Sequence, residues 1–202
     1  MADLLRETQA YRLRKPERMT TAVVFASPHS GSDYPAELLA RSVLDPRRLR
    51  SSEDAFVDRF LETAPREGAA LLTARLPRAW VDLNRDETEL DPALIEGLGR
   101  GAAGPRVLAG LGVIPRVVSS NRAIYSGKLT RDEADARLAT VWRPYHTTLA
   151  ALLREVQARF GRAVLIDMHS MPSEAVRGAG PRPAGVVLGV RYGAAPGPDT
   201  VA

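Results

Sequence analysis

Two of the three histidines of this 202-residue chain follow short apolar runs in matching surroundings. His29 stands in Ser-Pro-His-Ser-Gly after "TAVVFA", and His169 stands in Asp-Met-His-Ser-Met-Pro after "AVLI". Each run predicts a buried strand, and the Pro, Ser and Gly residues predict the turn that ends it. Because ligands bind outside the carboxyl ends of strands in open α/β sheets, both imidazoles are expected at one such edge.

Two imidazoles at one sheet edge can hold a single metal ion. The chain has no cysteine, so a metal must bind to histidine and carboxylate, and imidazole suits zinc. A catalytic zinc takes three protein ligands and leaves one position for water. The alternative is that each histidine makes one hydrogen bond in an ordinary turn. The matched pair favours the metal.

The third ligand is expected to be a carboxylate. "RSSEDAFVDRF" offers Glu53 and Asp54 at a predicted helix start, where acidic residues are also favoured by the helix dipole alone. Asp167 lies two residues before His169 and therefore shares its side of the strand. It could orient an imidazole from behind, or be a buried acid satisfied by backbone amides.

A second dense group of polar residues lies in "LPRAWVDLNRDE", which contains Arg78, Asp82, Asn84 and Arg85. An asparagine beside an arginine suits a two-point grip on a carboxylate, and Asp82 could hold Arg85 in place. A purely structural salt-bridge cluster would explain the same residues.

Strands alternate with helices along the chain, which predicts an α/β fold with a largely parallel sheet flanked by helices. Apolar runs predict strands, buried on both faces, at 21–27, 69–76, 79–83, 163–168 and 185–190. Residues 1–20 are expected to form a short helix or arm, and the glycine-rich stretch 96–116 a mobile loop over the site. The domain proper is expected to span residues 21–202.

The clearest helix spans residues 130–161. Thr130 with Glu133 predicts a capping box, and Gly161 predicts the helix end. Pro144 must kink or split the helix. A second helix is predicted in "SEDAFVDRFLETAPREG", where Gly68 supplies the stop. Apolar residues at helical spacing in the first helix are Ala134, Leu138, Val141, Tyr145, Leu149, Leu152, Val156 and Phe160.

Composition excludes several classes of protein. The net charge of +4 comes from scattered arginines, and aromatic residues make up only 5%, which does not favour nucleic-acid binding. No apolar run approaches the roughly 20 residues that span a bilayer, and the N-terminus does not resemble a signal peptide. A cytoplasmic protein with a small anionic substrate is expected, and the sequence does not indicate an oligomeric state.

The motifs "PHSG", "RAWVDLNR" and "LIDMHSMP" occur in an order that resembles the N-formylglutamate amidohydrolases, relatives of zinc carboxypeptidase-like and aspartoacylase-like enzymes. The resemblance also includes "IYSGKLTRDEADARL", "YHTTL" and "VVLGVRYG". It implies a zinc-carboxypeptidase-like (phosphorylase/hydrolase-like) fold, and hydrolysis of an N-acyl amino acid, foremost N-formyl-L-glutamate to formate and glutamate. The alternatives are another metal-dependent deacylase or carboxypeptidase-like hydrolase, and a non-catalytic metal- or anion-binding remnant.

The resemblance also implies roles for individual residues. His29 and His169 are expected to ligate zinc. Asn84 and Arg85 are expected to hold the α-carboxylate of the substrate. Arg78 is expected to polarise the scissile carbonyl. Tyr125 and His146 are expected to line the pocket.

The sequence departs from the family pattern in two places. Ser32 stands where the carboxypeptidase pattern has a glutamate three residues after the first histidine. The carboxylate ligand is therefore expected to be Asp54, with Glu53 as substitute. The family's catalytic glutamate lies on a later strand, whereas the last glutamate here is Glu174. Either the chain is a fragment, or Glu174 is the catalytic substitute, or activity is damaged; a C-terminally shortened domain is the favoured expectation.

Overall fold

A computed structural model describes residues 4–99, 101, 103–176 and 185–189. Its strands are β1 (Leu4–Glu7), β2 (Tyr11–Lys15), β3 (Val23–Ser27), β4 (Ala70–Ala74), β5 (Val117–Val118), β6 (Arg122–Ala123) and β7 (Val164–Asp167). Its α-helices are α1 (Ala36–Arg41), α2 (Pro46–Leu49), α3 (Val57–Phe60), α4 (Pro105–Leu108), α5 (Arg131–Arg137) and α6 (Arg143–Phe160). Short 3-10 turns cover Arg50–Ser52, Ala64–Glu67, Ser119–Asn121 and Ser173–Val176.

The main sheet has five strands in the order β1-β2-β4-β3-β7. β3 is parallel to both β4 and β7, with Val24 opposite Ala70 on one side and Leu165 on the other. β2 is antiparallel to β4, and β1 to β2. The predicted α/β fold with a mixed sheet is confirmed. Its three parallel strands end at the same edge, which brings the segments that follow β3 and β7 together.

The helical layer follows the predicted pattern. Thr130 and Glu133 form the capping box, and Gly161 ends α6 in the left-handed conformation with φ 73°. A π-helical turn, Leu138–Trp142, separates α5 from α6 just before Pro144. Proline has no N–H to donate and crowds the preceding turn, so the wider turn accommodates it. The predicted apolar face packs into the main core, with Leu149 and Phe160 partly buried at its margin.

Residues 79–83 do not form a strand, contrary to prediction. Ala79, Val81 and Leu83 are all buried, which explains why the apolar run predicts a strand. The chain turns at Pro77, whose carbonyl accepts from the Trp80 N–H. The segment then runs as an irregular loop against the core, because no described strand pairs with it.

The N-terminal segment also differs from expectation, because residues 4–15 form the hairpin β1-β2 rather than a helix. Tyr11 and Leu13 are buried while the intervening Arg12 is not, which is the two-residue period of a strand. The hairpin extends the sheet through the pairing of β2 with β4.

The predicted helix in residues 52–68 is interrupted. Phe56 has a left-handed φ of 68° before α3, and the chain re-forms only a 3-10 turn before Gly68, whose φ of 79° ends the segment as predicted. Pro65 disfavours a continuous α-helix at the residue before it. Phe56 and Phe60 are consequently 56% and 81% exposed.

Two further strand predictions need correction. Among the described strands only β3 pairs with β7, which makes it an edge strand, and Val164 and Leu165 are exposed rather than buried on both faces. Within the predicted strand 185–190, residues 186–189 have no regular structure, and position 190 lies outside the described residues. No described strand pairs with this run, so its backbone has no ladder to join.

The chain divides into two compact units, residues 1–170 and 171–202. The first contains both sheets and all six α-helices of the described residues. The glycine-rich stretch 96–116 belongs to it and, where described, is a loop that contains α4; its mobility stays a prediction. No described helix is both long and apolar enough to cross a bilayer.

Candidate metal centre

The two strand-end histidines meet at the edge where β3 and β7 end. Their ring centroids are 4.7 Å apart, and the rings are inclined at 57°. His29 is buried, whereas the His169 side chain is partly exposed. Imidazoles separated by more than a hundred residues therefore share one site, as their matching sequence surroundings predict.

Asp54 joins the two histidines. Its backbone N–H donates to the His29 carbonyl oxygen at 3.0 Å, which fixes the segment that carries it. Its Oδ2 lies 2.8 Å from Nδ1 of His169 and 3.5 Å from Nδ1 of His29. The hydroxyl of Ser170 donates to Oδ1 at 2.9 Å. One ligand atom from each of His29, Asp54 and His169 lies within 4.8 Å of the others.

Each histidine has a second carboxylate behind it. Nε2 of His29 lies 2.7 Å from Oδ1 of Asp82, and Nε2 of His169 lies 3.1 Å from Oδ2 of Asp167. A carboxylate at Nε2 keeps the proton there and leaves Nδ1 as the ligand atom. In both residues, Nδ1 is the nitrogen that faces Asp54.

The environment of His29 supplies a specific reason to place a cation here. Its Nδ1 is buried and has no hydrogen-bond partner among the described residues. A buried polar atom without a partner is costly, and a metal ion shared with Asp54 and His169 would satisfy it. Two imidazole nitrogens and one carboxylate oxygen are also a donor set that suits zinc. The residues present fit the metal that the family resemblance implies.

Electrostatics keep these groups in the charge states that a cation requires. Burial alone would raise the pKa of Asp54, but hydrogen bonds from His169 and Ser170, together with the nearby His29, lower it below its ordinary range. Burial likewise opposes ionisation of Asp82, yet the hydrogen bond and charge of His29, with the nearby arginines, lower its pKa to about 2. Both groups are therefore carboxylates at neutral pH.

His169 behaves as an imidazolium when no metal is bound. Burial would lower its pKa, but hydrogen bonds and charge from Asp167 and Asp54 raise it to about 9. Its two N–H groups then donate to the two carboxylates. A metal ion would replace the Nδ1 proton, so metal binding and proton release are linked.

The polar residues of the Arg78–Arg85 segment lie beside this cluster. Nδ2 of Asn84 is 3.2 Å from Nε2 of His169. Nε of Arg78 donates to Asp82 at 2.9 Å, whereas Nε of Arg85 is 3.9 Å from the same carboxylate. Asp82 thus holds His29 and Arg78 more closely than Arg85, the residue that the sequence interpretation assigned to it.

The remaining sequence-predicted residues lie in different places. The Glu53 carboxylate accepts from Arg50 and is not part of the cluster, whereas Asp54 is. Tyr125 is buried, and its hydroxyl accepts from Arg137. Nε2 of His146 lies 2.9 Å from the Leu83 carbonyl oxygen. Glu174 lies in the 3-10 turn of the separate unit 171–202.

Two contacts at the site were not foreseen from the sequence. Ser170 directly follows His169 and donates to Asp54, and Trp142 donates from Nε1 to the Arg85 carbonyl oxygen at 2.9 Å. The pairing of Asp82 with His29 could have been inferred, because ligating histidines almost always donate to a carboxylate, carbonyl or water.

Comparison with known proteins identifies the family. A model of the N-formylglutamate amidohydrolase family matches residues 21–202. The chain belongs to this family. The resemblance seen in the sequence motifs is thereby confirmed, and with it membership of an amidohydrolase family.

Relatives of the family show how much of the chain is shared. N-formylglutamate deformylase of Pseudomonas aeruginosa is 30% identical over 159 residues, which are 78% of this chain and 54% of that protein. The deformylase of Pseudomonas putida is 26% identical over 153 residues, 75% of this chain and 52% of that protein. The chain therefore spans about half the length of the curated relatives it matches.

Solved structures agree with the family assignment. N-formylglutamate amidohydrolase from Ralstonia eutropha JMP134 superposes with a TM-score of 0.78 at 37% identity, covering 88% of this chain and 64% of that one. A gene product of Agrobacterium tumefaciens gives a TM-score of 0.58 at 19% identity, covering 81% of this chain and 57% of that one, and shows the shared fold alone.

Proposed function

We propose that this member of the N-formylglutamate amidohydrolase family takes part in zinc-dependent hydrolysis of an N-acyl amino acid, with N-formyl-L-glutamate as the foremost substrate. The observation that supports this most is the convergence of both histidine Nδ1 atoms on Oδ2 of Asp54. The names of the deformylase and amidohydrolase relatives support the choice of substrate.

His29, Asp54 and His169 would hold the zinc ion. Zinc bound there would supply a water of lowered pKa and polarise the carbonyl of the acyl group. Asp82 and Asp167 keep a proton on the Nε2 atoms, so that both Nδ1 atoms remain free to act as ligands. Ser170 holds the second oxygen of Asp54 and so limits rotation of that carboxylate.

Asn84 and Arg85 would anchor the α-carboxylate of the substrate. Arg85 donates from Nε to the Leu111 carbonyl oxygen at 3.1 Å and from Nη1 to the Asn84 carbonyl oxygen at 2.7 Å. These bonds fix the plane of the guanidinium, and no described residue accepts from its Nη2. A fixed guanidinium with a donor to spare is suited to a carboxylate.

Arg78 would stabilise the oxyanion that develops on the acyl oxygen. Its Nε is held by Asp82, which also contacts His29, so the guanidinium is tied to the metal cluster through one carboxylate. A well-placed donor of this kind contributes roughly 3 to 4 kcal/mol to transition-state stabilisation. Tyr125 and His146 are proposed as part of the pocket.

The proton acceptor is proposed to be Glu174, which would take a proton from water and return it to the leaving amine. The carboxylates around the cluster, Asp54, Asp82 and Asp167, each contact a histidine already. This engagement is the observation that favours a second candidate function: a metal- and anion-binding domain without hydrolytic activity of its own.

Zinc content and formate release, measured on the same preparation, separate these functions. We expect one zinc per chain and formate from N-formyl-L-glutamate. Stoichiometric zinc without formate would support the binding domain instead, and failure to bind added zinc would refute both.

Two variants assign the roles of individual residues. His169→Ala should abolish zinc retention, since it removes one of three ligands. Arg85→Ala should retain zinc but weaken substrate binding, which would appear as a raised KM. Loss of zinc from Arg85→Ala would contradict its assignment to the substrate.

A further inference from the structure

Three consecutive backbone carbonyls next to the metal cluster are bound by side chains. The oxygen of Leu83 accepts from Nε2 of His146 at 2.9 Å, that of Asn84 from Nη1 of Arg85 at 2.7 Å, and that of Arg85 from Nε1 of Trp142 at 2.9 Å. No backbone N–H of the described residues donates to them. The position of Asn84 and Arg85 is therefore set by side chains rather than by a sheet.

Two of the three donors come from one rigid aromatic pair. Trp142 ends the π-helical turn and His146 lies four residues later in α6, so both project from the same side of the helical layer. Their ring centroids are 4.0 Å apart with an angle of 34° between the planes. Stacked rings on a helix have few alternative rotamers, so the two N–H groups form a fixed pair of donors.

His146 can donate in this way at neutral pH. Burial lowers its pKa below the ordinary histidine value, which favours the neutral imidazole with its single proton. The Leu83 carbonyl oxygen can only accept, so the proton is on Nε2.

We propose that Trp142 and His146 are positioning residues that hold the Leu83–Arg85 segment so that Asn84 and Arg85 grip the α-carboxylate of the substrate. This inference rests on the proposed function, since it assigns that grip to Asn84 and Arg85. Neither aromatic residue needs to touch the substrate to do so. The pair acts on two carbonyls that flank Asn84, whose amide lies 3.2 Å from the His169 ring.

The test removes one donor at a time. One variant keeps an aromatic ring without the N–H, and another replaces the ring by a different N–H donor. Trp142→Phe keeps an aromatic ring but loses the N–H to Arg85. His146→Leu loses the donor to Leu83, whereas His146→Gln offers an amide N–H at a similar distance along the side chain. Thr148→Val is the matched control, because it removes a different α6 hydrogen bond, the one to the Tyr11 hydroxyl.

Each zinc-loaded variant is assayed with N-formyl-L-glutamate and with the same compound carrying an α-carboxamide, and glutamate binding is measured by calorimetry. For Trp142→Phe and His146→Leu we expect KM and the glutamate Kd to rise about three- to tenfold, with kcat and zinc content near the wild-type values. The effect should vanish on the α-carboxamide. His146→Gln should restore binding, and Thr148→Val should leave it unchanged.

A purely structural role predicts a different pattern. If Trp142→Phe and His146→Leu impair both substrates equally, or if His146→Gln is as impaired as His146→Leu, the inference is overturned. Thermal melting of each variant shows whether it is still folded at the assay temperature. Should the wild type release no formate but bind glutamate, the proposed hydrolysis fails while the glutamate Kd values still decide this inference. Absence of glutamate binding by the zinc-loaded wild type would refute the assignment of Asn84 and Arg85 to the α-carboxylate, and this inference with it.

Discussion

Asp82→Asn is a nearly isosteric change that removes one buried negative charge from behind the metal cluster. The carboxylate accepts from the Asn84 backbone N–H, lies 2.7 Å from Nε2 of His29 and receives the Arg78 guanidinium. An asparagine can keep one acceptor oxygen but turns an N–H₂ group towards a donor. We therefore expect both stability and metal affinity to fall.

The size of the stability loss follows from the carboxyl's own titration. The pKa of Asp82 lies at about 2, against a value of 3.8 for the unperturbed group. At 1.36 kcal/mol for each pKa unit, the folded protein gains about 2 kcal/mol from ionising this residue. Because the pKa is depressed, this stability is present above pH 3.8 and is lost as the pH falls through 2. The loss of unfolding free energy in Asp82→Asn, relative to the wild type, should therefore be complete at pH 7 and become smaller in strong acid.

The effect of Asp82→Asn on zinc affinity can be predicted independently of its effect on stability. Removing the carboxylate behind a ligating histidine typically weakens zinc binding about 10- to 100-fold. Urea denaturation of the metal-free protein measures the stability term, and competition with a chromophoric zinc chelator measures the affinity. Asp33→Asn is the matched control, since Asp33 pairs with Arg75 on the surface and is not a member of the cluster. Zinc affinity of Asp82→Asn within twofold of wild type would refute the role of Asp82 behind His29.

Two further outcomes are expected from the same structure. Because the pKa of metal-free His169 is raised to about 9, its proton competes with zinc, and zinc affinity should fall about tenfold for each pH unit between pH 8 and 7. Calorimetry in two buffers of different ionisation enthalpy should detect about one proton released when zinc binds. No release would contradict the raised pKa. In Gly31→Ala the new Cβ would lie 2.1 Å from the Leu76 carbonyl oxygen, so the loop that carries His29 must shift. We expect the free energy of unfolding, measured by urea denaturation, to fall by about 2 to 4 kcal/mol and zinc binding to weaken. A denaturation midpoint equal to that of the wild type would show that the close approach is not needed.

The sequence was sufficient for features that depend on local pattern. The capping box at Thr130, the stop at Gly161 and the apolar face of the long helix need only neighbouring residues, and all are confirmed. The parallel strands that lead to His29 and His169 were equally clear from their apolar runs. Convergence of the two histidines then followed from a general property of parallel sheets.

Features that depend on distant partners were not predictable from pattern alone. The apolar run at residues 79–83 indicated a strand, but a strand also needs a neighbour with free backbone groups, and the chain supplies side-chain donors instead. The interrupted helix before Gly68 depends on the left-handed Phe56, which leaves no mark on apolar spacing. The sequence favoured Asp54 over Glu53 as the third ligand but left Glu53 as a substitute, because the backbone bond from Asp54 to His29 is a contact between distant residues.

The measurement that bears on the whole assignment is zinc-edge X-ray absorption of the zinc-loaded protein, combined with an anomalous difference map of its crystals. We expect one zinc per chain between His29, Asp54 and His169, with two imidazole nitrogens at about 2.0–2.1 Å and an oxygen ligand at a similar distance. A zinc bound elsewhere, or an absorption spectrum without imidazole scattering, would contradict the metal centre and the hydrolysis proposed from it.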